Sequence, residues 1–513
     1  LAARPSASFR SAAVCRKERG AAFFELGVLA ARSELVAFFE IAAGFVARPP
    51  PWVLFGCCIL IATTLRLGGC QSDQAPPCFC PERSPQLHQG VRPIASAGRA
   101  GASSWRLNIL YIHERFGALA GAEANVHITA TELAARGHRV GILHGPTTGN
   151  NEAGWEKVFS FRRPLDAATL PRHVAAFQPD AFFIHKTSDL PVLEAVATSK
   201  VPVARMVHDH DIYCMRSYKY GVFSRKICER AASLYCVFGC GAFIARDHGG
   251  RFPVKWVSYS DKKREIEINR GFDRMCVVTT FMRDELLKNG FDPKRIEIHP
   301  PVPRPGDATI RSTFSDRNLI LYAGQIIRGK GVDVLIESLA QVKEPFECVI
   351  LGDGSHKAYC EELTRKLGLQ DRVKFKGFIP QEELKGYYRE CSVVALSSVW
   401  PEPIATIGLE VMRYALPVVA FDAGGIKDWL IDGHNGYLVP WMDRAKFAAR
   451  IDELLRNKTL ARELGQNGHA LVSERYDFDR YVLGLEAMFS RLTQKQTRAP
   501  SDKISLNSAG ALV

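Results

Sequence analysis

No run of about 20 apolar residues, the length a spanning helix needs, occurs in this chain of 513 residues. The most apolar stretch, Trp52 to Leu65, has 14 residues, so a polytopic membrane protein is excluded. Acidic residues are in the minority, 54 against 67 Lys and Arg, for a net charge of +13. That excess points to anionic partners: phosphates, a lipid headgroup surface or nucleic acid. No nucleic-acid motif accompanies the charge, so nucleic acid is set aside. A collagen, a wholly disordered chain and a small disulfide scaffold are excluded by 47% hydrophobic and 24% charged residues.

The first 105 residues lack any regular pattern. They are rich in Ala, Arg, Pro and Ser, and Pro49, Pro50 and Pro51 break them. The chain begins with Leu1, as expected of a fragment, a processed product or an extended reading frame. Leu67-Gly68-Gly69-Cys70 has the form of a lipoprotein cleavage box but lies too deep for an ordinary signal peptide. Six cysteines sit here with no metal or disulfide spacing. The reading is a low-order N-terminal extension, residues 1–105, dispensable for folding.

From Arg106 the pattern alternates. Leu107 to Ile112 is a short apolar run, followed by a Gly-containing turn and a helical pattern on Val126, Ala130, Leu133 and Ala134. Gly137 suits a left-handed C-cap, and Arg139 to Leu143 is the next strand. Further strands are expected at Ala181–Ile184, Val203–Val207, Met275–Thr279 and Ile296–His299. Pro300, Pro301, Pro303 and Pro305 then crowd into a linker. The grammar restarts at Leu319–Tyr322, with a Gly-Lys-Gly loop, a helix on Val332, Leu335, Ile336, Leu339 and Val342, and strands at Cys348–Leu351, Val373–Phe375, Val393–Leu396 and Val418–Phe421. The expected fold is α/β: two Rossmann-like doubly wound domains, 106–303 and 304–475, facing across a cleft. A C-terminal helix over 476–492 and a polar tail over 493–513 complete it.

The chemistry concentrates in Glu402-Pro403-Ile404-Ala405-Thr406-Ile407-Gly408-Leu409-Glu410. Seven residues separate two glutamates, one in a turn and one about two helical turns on. Acceptor-only carboxylates suit vicinal sugar hydroxyls, and backbone N–H groups near Ala405 and Thr406 suit an anion. The alternative is two solvated surface glutamates. In the first domain, Val207-His208-Asp209-His210-Asp211 follows a strand and so faces the cleft. A neutral His208 there would donate to a sugar hydroxyl or steady a phosphate, the alternative being a histidine satisfied by local backbone. Asp209, His210 and Asp211 are the other candidates for the acceptor side. Cys214, Cys228, Cys236 and Cys240 form a candidate structural metal cluster, with buried or disulfide-paired cysteines as the alternative. Between Arg205 and Arg264 there are 12 Lys or Arg and 5 Asp or Glu, a basic stretch that suits an anionic bilayer.

Taken in order, the Gly-Lys-Gly loop, Leu351-Gly352-Asp353-Gly354, Phe375-Lys376-Gly377-Phe378, the paired glutamates, Pro417-Val418-Val419 and Gly424-Gly425 resemble the retaining glycosyltransferases of family 4, also called group 1, with the GT-B fold. Gly121-Ala122-Glu123 and Arg136-Gly137-His138 match the family's first domain. The resemblance runs from about Leu107 to Leu492. It implies that Glu402 contacts the donor sugar, Glu410 the ribose and Lys330 the diphosphate. Gly121 would let the phosphates approach, Phe378 and Ile379 would cradle the base, and His208 would lie near the reacting sugar. Gly352, Gly354, Ile404, Ala405 and Thr406 join the donor site. Gln325 stands where the family usually has Arg, with Arg328 as the substitute charge; Ala405, Ala415 and Ala120 stand where glycine is usual.

The implied activity is transfer of a sugar from a nucleoside diphosphate sugar to a sugar or lipid-linked acceptor, with no cofactor required. The implied setting is polysaccharide or glycoconjugate biosynthesis, in the cytoplasm or on the inner face of the cell membrane. The alternatives are another GT-B enzyme, such as an epimerase or a pyridoxal-dependent phosphorylase, and a non-catalytic nucleotide-sugar-binding protein.

Overall fold

The structure, a computed structural model, describes residues 106–117, 121–221, 224–246, 254–302, 311–315 and 317–497. The expectations for residues 1–105, for Ala120, for Pro303, Pro305 and Gly306 of the linker and for the tail beyond residue 497 lie outside the described residues.

Seven parallel strands make the first sheet: β1 (Asn108–His113), β2 (Arg139–His144), β3 (Phe161–Pro164), β4 (Ala181–Lys186), β5 (Val203–Val207), β8 (Arg274–Val277) and β9 (Ile296–Ile298). Their spatial order is β3-β2-β1-β4-β5-β8-β9. A small antiparallel hairpin, β6 (Ile244–Arg246) with β7 (Val254–Trp256), stands outside this sheet. Six parallel strands make the second sheet: β10 (Leu319–Ala323), β11 (Glu347–Leu351), β12 (Val373–Gly377), β13 (Cys391–Leu396), β14 (Val418–Phe421) and β15 (Gly436–Val439), ordered β12-β11-β10-β13-β14-β15. Each sheet reverses its strand order beside its first strand, between β1 and β4 and between β10 and β13. Such crevices are where doubly wound sheets bind ligands.

The central strands are near-continuous apolar runs because helices cover both faces. Every residue of β5, β10, β13 and β14 is buried. The strands expected at Val203–Val207 and Val418–Phe421 have those bounds. The one expected to reach Thr279 stops at Val277, because Thr279 caps the next helix, its Oγ1 accepting from Met282 N at 3.3 Å. In the two large sheets, two strands escape sequence reading, as do both strands of the β6–β7 hairpin. β3 (Phe-Arg-Arg-Pro) is a half-exposed edge with no apolar run, and β15 is four residues opening on glycine.

The C-terminal helix spans Phe478–Thr497, past the expected end at Leu492. It returns to the first domain. Tyr481 pairs with Asn125, whose Nδ2 donates to the phenol at 3.0 Å. Arg136 reaches Asp479 and Glu486, and Phe489 meets Phe183 edge-on with centroids 5.2 Å apart. The chain therefore crosses between the domains twice, once after β9 and once before this helix.

Phe489 is fully buried on that contact. Phe489→Ala should lower the unfolding free energy in denaturant by about 3–5 kcal/mol, through lost transfer energy and a cavity. Leu483→Ala, on the exposed side of the same helix, should stay within about 0.5 kcal/mol of the parent.

Candidate active site

Lys330 and Glu402 meet at the carboxyl end of the second sheet, beside its switch point. Lys330 arrives on the loop after β10, where Arg328–Lys330 forms one 3-10 turn and Gly331 closes it at φ 64°. A Cβ on Gly331 would stand 2.1 Å from the Ser397 carbonyl oxygen, so glycine is required there. The loop is tied to the segment after β13. Val399 N and Trp400 N donate to the Gly329 carbonyl at 2.9 and 3.1 Å, and Ser397 Oγ donates to the Lys330 carbonyl at 3.1 Å.

Glu402 is buried, and its Oε1 collects three donors: Lys330 Nζ at 2.6 Å, Ser398 Oγ at 2.5 Å and Trp400 Nε1 at 2.8 Å. Burial alone would raise this carboxyl. The Lys330 charge and the three hydrogen bonds outweigh it and hold the group below the usual glutamate range. Among the described residues none hydrogen-bonds to Oε2. The backbone around Glu402 is fixed carbonyl by carbonyl. Pro401 O accepts from His210 Nε2 (2.7 Å), Glu402 O from Gly425 N (2.7 Å), Pro403 O from Thr279 Oγ1 (2.7 Å) and Ile404 O from Trp429 Nε1 (2.6 Å).

Ala405 lies at φ 57°, left-handed, immediately before the helix Thr406–Met412. The position favours glycine, which matches its place in the motif. The Ile404 side chain is buried, Ala405 is half-buried and Thr406 is exposed. Glu410, half-buried, accepts from Tyr388 Oη at 3.1 Å. Gly352 and Gly354 serve loop packing: a Cβ on either would lie 1.9 Å from Gly324 O or 2.4 Å from Ile326 O. Phe378 follows edge strand β12 and is 81% exposed, an aromatic face open for stacking, while Ile379 packs on the core. Arg328 is half-buried beside the Tyr220 hydroxyl, which its charge reaches.

In the first domain Gly121 begins the helix Ala122–Ala135 at φ 66°. A Cβ there would meet nothing closer than Glu123 Oε2 at 3.7 Å, so conformation rather than space calls for glycine. His208 Nε2 lies 2.8 Å from His185 Nδ1, and the two rings stack at 5.1 Å, with Tyr111 stacked behind His185. Burial pushes His208 down to about 3, against the pull of Asp209, so the imidazole is neutral. Among the described residues no hydrogen bond or ion pair joins His208 to Lys330 or Glu402. Asp209 pairs with Lys186 at 3.1 Å, and burial raises Asp211 to about 8. His210, expected on the acceptor side, turns instead to the second domain.

The cysteine segment also differs from expectation. Cys214, Cys228, Cys236 and Cys240 are free and half-buried. Among the described residues no group of three or more His, Cys, Asp or Glu is arranged to hold a metal ion. The segment instead docks on the second domain, with Arg225 paired to Asp333 at 2.7 Å and Tyr218 against Trp400 at 6.0 Å. Sequence reading missed Ser398, Trp400, His185, Thr279 and Tyr388. Ser398 and Trp400 precede Glu402 by four and two residues, a spacing that would have flagged them as its donors.

Two switch-point sheets with their carboxyl ends opposed, and a lysine–glutamate pair between them, define the GT-B class of glycosyltransferase. The family described as Glycosyltransferase Family 4 matches residues 119–302, and that described as Glycosyl transferases group 1 matches residues 308–470. Together they take in more than half of the chain, which belongs to this family. A D-inositol 3-phosphate glycosyltransferase of Streptomyces bingchenggensis is 30% identical over 239 residues, 42% of this chain and 52% of that one. An uncharacterized glycosyltransferase of Methanocaldococcus jannaschii is 25% identical over 248 residues, 47% of this chain and 63% of that one. The chain thus spans between about half and two thirds of these relatives' length. In fold it is similar to Alr3699/HepE of Anabaena, solved in complex with UDP, at TM-score 0.58 and 17% identity over 75% of this chain and 99% of that one. The lipopolysaccharide outer core galactosyltransferase WaaB is similar at TM-score 0.56 and 15% identity, over 75% and 99%.

Lys330→Ala would leave a buried carboxylate with its main counter-charge gone. The variant should lose about 3 kcal/mol in chemical denaturation, the low end for a broken buried pair because the Lys330 side chain is 23% exposed. Lys330→Ala combined with Glu402→Gln should recover most of that loss. A double variant no more stable than the single would mean the charge is not the source.

Proposed function

We propose that this protein is a retaining hexosyltransferase that moves a sugar from a nucleoside diphosphate sugar to an acceptor hydroxyl. The reading is carried by the Lys330–Glu402 pair at the switch point, with Glu402 Oε2 left for a ligand. In this reading Oε2 accepts from hydroxyls of the donor sugar. Lys330, with Arg328, meets the diphosphate, and Glu410 holds the ribose. Phe378 and Ile379 flank the base, and Gly121 lets the phosphates approach. Backbone N–H groups around Ala405 and Thr406 add to the anion site.

In this reading no side chain serves as a nucleophile toward the anomeric carbon. The acceptor oxygen would attack from the face the diphosphate leaves. The bond from the anomeric carbon to the phosphate oxygen breaks, the new glycosidic bond forms, and the acceptor proton passes to the leaving phosphate. The protein contributes position and charge: Lys330 stabilises the developing negative charge, and neutral His208 donates to the sugar or the phosphate. No cofactor is needed for this course. The acceptor class is a sugar or lipid-linked glycan, in polysaccharide or glycoconjugate biosynthesis.

The membrane part of the reading rests on aromatics more than on charge. Leu234, Tyr235, Phe238 and Trp256 are exposed, Phe238 at 83% and Trp256 at 80%. Backbone bonds from Ala242 N to Cys236 O and from Val257 N to Phe243 O tie the turn and the hairpin together. Part of the basic stretch is neutralised internally: Lys219 on Glu285, Arg225 on Asp333 and Lys262 on Glu265. Lys226 and Arg230 remain exposed, and the Arg230 guanidinium lies over the Tyr235 ring, 4.5 Å from its centroid. An apolar cap with cationic flanks suits the headgroup layer of an anionic bilayer on the cytoplasmic side.

A thermal-shift panel of nucleoside diphosphate sugars tests the donor. A true ligand at 100 times its Kd adds about 2.7 kcal/mol. With that donor, Glu410→Gln should raise KM and leave kcat near parent, because ribose binding is equal in ground and transition states. Glu402→Gln and Lys330→Ala should lower kcat roughly tenfold to 150-fold, the worth of one charge-assisted hydrogen bond. If all three variants behave like the parent, the site lies elsewhere. For the membrane, the parent should sediment with phosphatidylserine-containing vesicles, and Phe238→Ala with Trp256→Ala should release most of it. Undiminished sedimentation of that double variant would remove the aromatic cap from the reading.

A further inference from the structure

The seam between the domains passes directly beside Glu402. The carbonyl before it, Pro401 O, accepts from His210, and the carbonyl after it, Pro403 O, accepts from Thr279. Both donors belong to the first domain, His210 after β5 and Thr279 after β8. We propose that His210 and Thr279 are positioning residues, an interdomain clamp that sets the Glu402 carboxylate when the first domain is docked against it. The proposal rests on Glu402 being the donor-side carboxylate.

The proton inventory of His210 is fixed by its neighbours. A carbonyl oxygen carries no hydrogen, so Nε2 must donate to Pro401. Nδ1 lies 2.8 Å from the Tyr213 hydroxyl, whose single proton is shared between Nδ1 and Met282 Sδ at 3.2 Å. The ring is fully buried, and burial lowers its pKa, in keeping with one proton held on Nε2. It also packs edge-on to Trp400 at 6.2 Å, whose Nε1–H reaches Glu402 itself. Thr279 Oγ1 is likewise committed twice. It accepts from Met282 N as a helix cap, so its own proton is directed to Pro403 O. Neither donor is a long, adaptable side chain: one is a buried ring and the other a cap. A displacement of the first domain therefore moves both carbonyls, and the residue between them moves too.

Four variants of the full chain test this: His210→Ala, His210→Gln, Thr279→Val and Thr279→Ser. The first readout needs no ligand. Amide exchange in the segment 398–408 should rise about fivefold in His210→Ala and in Thr279→Val, while strands β10 and β11 stay at parent rates. His210→Gln keeps an N–H donor and Thr279→Ser keeps the hydroxyl, so both should return toward parent values. The second readout is turnover with the donor found in the panel: kcat should fall roughly fivefold to tenfold with KM unchanged, again with partial rescue by Gln and Ser. Unchanged exchange at 398–408 in both His210→Ala and Thr279→Val overturns the clamp. Faster exchange with parent kcat overturns its effect on Glu402. If the parent turns over no panel donor while exchange changes as expected, the clamp stands and the transferase reading fails. Should His210→Ala lose its fold, Thr279→Val, smaller in its change, decides by the same criteria.

Discussion

One carboxylate, held out of water and kept ionised, constrains the rest of the site. Burying Glu402 would cost several kcal/mol if the charge were left uncompensated. The chain meets that demand locally. Ser398 and Trp400 come from the same segment, and Lys330 is brought by a loop whose Gly329 carbonyl is held by Val399 N and Trp400 N. The loop can approach because Gly331 has no Cβ to meet Ser397 O. The carbonyls of residues 401 to 404 are each gripped by a different donor, two of them from the first domain. Precision at Glu402 is therefore a property of the seam and not of the second domain alone. All three donors go to one oxygen, and among the described residues none hydrogen-bonds to the other.

The first domain contributes neutral groups where the second contributes charges. Burial keeps His185 and His208 unprotonated, so their stack adds hydrogen-bonding capacity without a fixed charge. Two of the domain's lysines are paired, Lys186 with Asp209 and Lys219 with Glu285.

Most of the fold was legible because parallel strands covered on both faces read as unbroken apolar runs. Val203–Val207 and Val418–Phe421 have their expected bounds for that reason. β3 was not legible, because an edge strand of Phe-Arg-Arg-Pro owes its pairing to β2 and not to its own composition. Glu402 and Lys330 were singled out through spacing and order, and the structure brings them within 2.6 Å of each other, a contact that the sequence did not announce. His210 was not. Adjacent residues leave a strand end in different directions, so sequence could place His208, Asp209 and His210 near the cleft but could not assign each a side. The cysteines illustrate the converse. Their spacing suggested a shared ligand, whereas the segment owes its place to Arg225 and Tyr218 meeting the second domain.

The position of the seam contacts bears on how the domains move. The chain crosses between the domains after β9 and before the C-terminal helix, and that helix is anchored on the first domain by Tyr481, Phe489 and the Arg136 pairs. Among the described residues, polar contacts across the cleft include His210 to Pro401, Thr279 to Pro403, Thr280 to Asp428 and Arg225 to Asp333. A neutral hydrogen bond contributes about 1 kcal/mol net, and one to a charged group about 1.5–3 kcal/mol. Separating the cleft-side polar contacts thus costs several kcal/mol, the range over which a ligand with unequal affinity for two states shifts a population. A ligand bound to both domains would favour closure by the difference between its affinities for the two states, and closure is the state in which Pro401 and Pro403 are held. Ligand binding and the setting of Glu402 would then be two aspects of one equilibrium.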